Sequence, residues 1–185
     1  MSKILITSGC SFSETTTPDK NMWITWPRWL SEKLSMHGYT KHINTAMGSQ
    51  GNGLISRGVI YNVLTALKTY KPQDILVGIM WSGSDRHDYR CARTSFLSFG
   101  KFNTDGWIEN PTGFIPDVEK RWVIMNAHWT NEESQTHYRY FHDHLSSSIY
   151  SLEHILRTQL LLKSKGVPYF FTDYADHNII SEYVD

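Results

Sequence analysis

Lys3-Ile4-Leu5-Ile6-Thr7-Ser8-Gly9-Cys10-Ser11-Phe12-Ser13 decides how this chain is read. Lys3 to Thr7 has the nearly unbroken apolar character of a strand buried on both faces. It runs directly into small and hydroxylated residues, which a loop that merely turns the chain does not need. Three later segments have the same strand character: Lys41 to Ala46, Asp74 to Trp81 and Val167 to Thr172. Helical spacing fills the gaps between them. Trp26, Trp29, Leu30, Lys33 and Leu34 predict a helix over 26–37 that Gly38 stops, and Asn52 or Ser49 caps a second helix running through Ile55, Val59, Val63, Ala66 and Leu67 to Tyr70. Tyr138, Phe141, Leu145, Ile149, Leu152, Leu156 and Leu160 form the longest i, i+3, i+4 stripe, which runs up to Gly166.

The order β-α-β-α-β-insert-α-β predicts an α/β fold: a three-layer α/β/α sandwich with a mainly parallel sheet, of SGNH or flavodoxin-like type. At 185 residues and 40% hydrophobic content, the chain is expected to form one domain, 1–185. The insert, about 88–135, is irregular and rich in aromatic residues. Its turn signals (Gly100, Asp105-Gly106, Pro111, Gly113, Pro116) flank short β-like pieces at Ser95 to Phe102 and Trp122 to Met125, as in a hairpin-bearing excursion. Trp81, Trp107, Trp122 and Trp129 lie in or beside irregular segments, where they serve either as a ligand platform or as a second small core.

Charge excludes several classes of function. Eighteen basic residues balance eighteen acidic ones with no like-charge block, so long-range attraction to nucleic acid or anionic membrane is not expected. No apolar run approaches a membrane span, and the amino terminus has no secretory core, which predicts a soluble, cytoplasmic protein. Cys10 and Cys91 make no zinc pattern and read as free thiols of a reducing compartment, with one disulfide left open. No cofactor is called for.

In a parallel sheet, ligands sit beyond the carboxyl ends of the strands. Those ends carry Gly9 to Ser13, Met47 to Asn52, Trp81 to Arg86 and Asp173 to His177. Gly9-Cys10-Ser11-Phe12, then Asn44 with Gly48 and Asn52, then the Ser84-Asp85 turn resemble the first three blocks of the SGNH (GDSL-like) hydrolases, in particular the divergent members of bacteriophage and marine microbial genomes. The resemblance covers roughly residues 3–90. It implies an esterase or deacetylase acting on a small or carbohydrate ester, with Ser11 as nucleophile, Gly48 as a backbone oxyanion donor, and Ser84 standing where the family usually has an oxyanion-hole Asn. Asn52 is an alternative donor, and Arg57 and Arg86 are site-organising cations. If the origin is phage, a virion location follows, and homo-oligomer or virion assembly stays open.

The family's late Asp-x-x-His block has no counterpart at that spacing. His177 is the one late histidine, with Asp173 and Asp176 at spacings of four and one. Three readings stay open: His177 works with Asp173 or Asp176 in a shifted arrangement, the chain ends before its catalytic block, or this is a non-hydrolytic structural or glycan-binding relative. The hydroxyl-rich first loop also resembles the phosphate loop of flavodoxin-like binding proteins, although no Walker-type motif is present. His137, His142 and His144 with Asp143 suggest metal at first sight. On one continuous helix, however, residues 142 and 144 diverge by about 200°, so they read as exposed histidines and no metal is expected. Asp85-Arg86-His87-Asp88 offers a serine-independent acid/base set but reads better as a turn closed by local Asp-Arg pairing, and Cys10, an alternative nucleophile next to Ser11, is expected to turn into the core.

Overall fold

A computed structural model of the chain describes residues 2–14, 24–90, 122–127 and 132–174. Its elements are β1 (Lys3–Ser8), α1 (Trp26–Leu34), β2 (Tyr39–Asn44), α2 (Asn52–Ala66), β3 (Ile75–Trp81), β4 (His87–Arg90), β5 (Trp122–Met125), α3 (Glu132–Tyr140), α4 (His144–Lys165) and β6 (Tyr169–Asp173). Four strands form one parallel sheet in the order β2-β1-β3-β6, and β4 pairs with β5 in a separate antiparallel ribbon. The fold is α/β with a mainly parallel sheet, as the alternation of strands and helices predicts.

The strands alternate their burden. Ile4 and Ile6 of β1 join Ile75, Val77, Ile79 and Trp81 of β3 in one apolar cluster with Ile55, Val59 and Val63 of α2 and Leu162 of α4. Trp81 is core rather than platform: it is 1% exposed, with its ring edge-on to Phe171 of β6. Trp107 and Trp129, the Ser95 to Phe102 piece and Cys91 lie outside the described residues. Trp122 to Met125 is the expected strand. It pairs with a strand that starts at His87, so the residues read as a closed turn open directly into the ribbon.

The boundaries shift where local chemistry competes with periodicity. β2 begins two residues before the expected Lys41 and ends at Asn44, whose side chain bonds backbone instead of continuing the ladder. Helix α2 stops at Ala66, short of Tyr70. The long carboxyl-terminal stripe is two helices, because Asp143 leaves helical geometry and accepts the Ser146 N–H at 2.7 Å, capping α4. Gly166 ends α4 as expected: at φ 65° it adopts the left-handed conformation that glycine tolerates best, and the Val167 N–H returns to Leu162.

Helix α4 turns a different face inward from the one its stripe marks. Leu145, Ile149, Leu152, Leu156 and Leu160 are exposed, while Ser147, Ser148, Ser151, His154 and Thr158 are buried. These small polar residues meet α2 through hydrogen bonds: Asn52 to Ser151, Ser56 with Thr158 at 2.7 Å, and Arg157 to Ser56. Short side chains on both helices permit close approach, and each buried polar atom that is paired avoids a desolvation cost of about 1–3 kcal/mol. No helix among the described residues is long and apolar enough to cross a membrane.

Candidate functional site

The carboxyl edge of the sheet begins at Gly9. A Cβ there would run into the Ser13 side chain and stand 3.0 Å from the Met80 carbonyl of β3, so only glycine lets β1 turn this tightly beside its neighbour. The turn closes with the Ser13 N–H donating to the Cys10 carbonyl at 2.9 Å. Cys10 is fully buried and Ser11 is exposed, the alternation that the strand predicts. The loop after β2 is tied to this turn. The Gly9 carbonyl accepts from the Met47 N–H and from the Gln50 amide, and Asn44 Nδ2 donates to the Ser13 carbonyl at 2.8 Å.

Gly48 therefore sits close to the Ser11 turn. Its N–H donates to Oε2 of Glu14 at 3.0 Å. Burial pushes the Glu14 carboxyl up from its ordinary value, and this bond opposes the shift. A backbone donor beside the Ser11 turn thus already holds a carboxyl oxygen.

The third loop, Ser82 to Arg86, is held from below. Asn52 Oδ1 accepts the Ser82 N–H at 2.7 Å, while its Nδ2 donates to the Ser82 carbonyl at 2.8 Å and to Ser151 Oγ at 3.1 Å. Both amide hydrogens of Asn52 are thereby used within the protein, and the side chain acts as a clamp between α2, α4 and the end of β3. Ser84 is half-buried in the turn, which closes through the Arg86 N–H to the Gly83 carbonyl at 3.3 Å rather than through an Asp85–Arg86 pair. The Arg86 guanidinium lies over the Tyr174 ring at 5.0 Å, and that ring stacks on Phe12 at 5.4 Å. This stack joins the first and third loops.

Asp88, which the sequence places in a turn closed by local pairing, has a different task. It is fully buried and accepts from the Gly51 and Leu54 N–H groups at 2.9 Å each, satisfying orphan donors at the start of α2 from a different element. Burial pushes its carboxyl up to about 6, against those two bonds and the charges of Arg57 and Arg86. The charges of Arg57 and Arg86 both act on Asp88. Asp173 ends β6, exposed and in register with Trp81. Asp176 and His177 lie outside the described residues.

A second constellation gathers beyond β4. His87 of β4, His137 of α3 and His142 between the helices place ring centroids 4.9, 5.7 and 6.3 Å apart. One nitrogen from each lies within 4.8 Å of the others. Ser147 Oγ, in the first turn of α4, sits 3.1 Å from His87 Nε2 and 3.2 Å from His142 Nδ1. His137 Nε2 is buried and has no hydrogen-bond partner. The rings of Tyr89, Tyr138 and Tyr150 lie around His87. Burial, then the charges of the other two rings, pushes His87 down to about 4; burial also lowers His137 and His142.

The wheel argument against a three-histidine group assumes one helix. The break at residues 141–143 frees His142 from that geometry, and His87 takes the place given to His144. Asp143 is spent as the α4 cap. Its position before a helical run is the sequence signal that locates the break, whereas nothing local in the sequence points from His87 to His137.

Comparison of the chain with protein-family models, with curated protein sequences and with solved structures gives no significant match.

Proposed function

We propose that the chain is an SGNH-like serine hydrolase, an esterase or deacetylase acting on a small or carbohydrate ester, built on the three-layer arrangement of that family. The observation that carries this reading is the Gly48 N–H beside the exposed Ser11 turn, aimed at a carboxyl oxygen. Acyl transfer needs a donor of this kind, because negative charge develops on the carbonyl oxygen as the hydroxyl attacks. In this reading Ser11 Oγ adds to the acyl carbon and His177 takes its proton. Asp173 or Asp176 holds the other nitrogen of the ring. The oxyanion takes the place of the Glu14 carboxylate on Gly48, with Ser84 as a second donor. The alcohol leaves with the proton from His177, and water then releases the acyl group by the same route.

The test is turnover of p-nitrophenyl acetate together with labelling by a fluorophosphonate probe. Wild-type protein is expected to do both, and Ser11→Ala to lose the labelling and at least about 10³-fold in kcat. Wild-type protein that shows neither ends the hydrolase reading.

One observation favours a second reading, a non-catalytic structural or glycan-binding relative. Asn52, the alternative oxyanion donor, has both amide hydrogens committed to Ser82 and Ser151. The Phe12–Tyr174 stack at the same edge would then serve as the contact surface for a sugar face. Saturable oligosaccharide binding that Phe12→Ala removes, in protein without esterase activity, decides for it.

A further inference from the structure

We propose that His87, His137 and His142 form a binding site for a divalent transition metal of the zinc class, held by three imidazoles with a fourth, exchangeable position. The inference is independent of the Ser11 reading and uses a different part of the molecule.

The donor set comes first. Three imidazoles without thiolate or carboxylate suit zinc, copper, nickel or iron(II) rather than calcium or magnesium, which take oxygen ligands. The spacing comes next. Zinc binds imidazole nitrogen at about 2.0–2.1 Å, which sets the nitrogens of a tetrahedral site about 3.3 Å apart. The three nitrogens here lie within 4.8 Å of one another, so each ring has to move inward by under about 1 Å, a side-chain adjustment.

Two further observations point to a ligand instead of a self-contained packing cluster. His137 Nε2 is a buried polar atom with no partner, although buried polar atoms are ordinarily paired. Ser147 Oγ stands between His87 Nε2 and His142 Nδ1. A hydroxyl oxygen has two lone pairs, so Ser147 Oγ can accept an N–H from both rings. A ring that donates N–H to Ser147 carries its lone pair on its other nitrogen, free for a metal. Metal-ligating histidines are oriented in this way by a hydrogen-bond partner on the nitrogen that does not bind.

Nearby groups that could close the coordination shell are otherwise engaged. The one hydrogen of the Tyr138 hydroxyl is shared between the backbone carbonyls of Asp85 and Met125. Asp143 caps α4. Among the described residues no fourth His, Cys, Asp or Glu joins the three nitrogens, which is the pattern of a site with room for water or substrate rather than of a closed structural one. Two of the elements are held by contacts within the protein: β4 by its pairing with β5, and α4 by its contacts with α2.

The test uses the full chain, stripped with a chelator and titrated with Zn²⁺ by calorimetry, with Co²⁺ as a spectroscopic probe of coordination. One equivalent is expected to bind. His137→Ala and His142→Ala, whose rings are only partly buried, should each weaken binding tenfold or more, while the exposed His37→Ala leaves it unchanged. Ser147→Ala should weaken binding by about tenfold and shift the Co²⁺ spectrum, as loss of an orienting partner does. Circular dichroism of each variant separates loss of ligand from loss of fold. No saturable binding, or an affinity that either folded histidine variant leaves unmoved, overturns the proposal.

Discussion

The Ser11 edge and the histidine pocket are built in opposite ways. At the edge, loops that follow β1, β2 and β3 are stitched by backbone carbonyls and amides: Gly9 to Met47 and Gln50, Ser13 to Asn44, Ser82 to Asn52. In the pocket, side chains from β4, α3 and the start of α4 converge with nitrogen atoms left to spare. The edge gains its shape from bonds that exist without a ligand, and the pocket has donors that a ligand would satisfy. Substitutions at the edge should therefore cost stability, and substitutions in the pocket should cost binding.

Asp88 gives the largest expected effect on stability, since it supports the edge from beneath. Asp88→Ala leaves the Gly51 and Leu54 N–H groups buried and unpaired and is expected to cost about 4 kcal/mol, measured by urea unfolding. A loss under about 1 kcal/mol would break the contrast, because the edge would then not depend on its bonds.

His154 sharpens the comparison at the α2–α4 interface that both regions share. Burial, Arg157 from its own helix and Arg57 from α2 push it down to about 4, and Tyr150 lies against its ring. The native ring resists a proton that the unfolded chain accepts near 6.5. Stability is thus present above about pH 6.5 and is lost as pH falls towards about 4, by about 2 kcal/mol from this group. His154→Gln should flatten that part of the profile, and a variant with the wild-type slope would remove the interface from the account.

The smallest effect belongs to the pocket. With metal withheld, His137→Ala should change unfolding free energy by less than about 1 kcal/mol, because Nε2 of His137 has no bond to lose. A loss of several kcal/mol would make the pocket structural and erase its difference from the edge.

How far sequence carries depends on whether a residue's environment is local. The two central strands, β1 and β3, are legible because a strand buried on both faces is an apolar run, whereas β2 and β6 lie at the sheet edges and are only partly buried. Glycine stops at Gly38 and Gly166 are legible for the same reason, since each stop is a property of a few adjacent residues. The inward face of α4 is not legible. A stripe of Leu and Ile is the usual mark of a core face, yet here Ser151, His154 and Thr158 win because α2 offers matching small and polar partners. The histidine group is hidden for a related reason: its members come from residues 87, 137 and 142, and only the tertiary fold makes them neighbours. Asp88 likewise reveals its task only once Gly51 and Leu54 are seen above it.

The strand order has a consequence in time. β1 pairs with β2 and β3, and those three come from the first half of the chain, whereas β6 joins the outer edge of β3 only near its end, with Val77 opposite Tyr169. During synthesis the edge of β3 therefore lacks its β6 neighbour until residue 173 has emerged. An apolar strand with an open edge is a template for pairing with other chains, so the nascent protein is exposed to that hazard in the interval. Docking of β6 closes it.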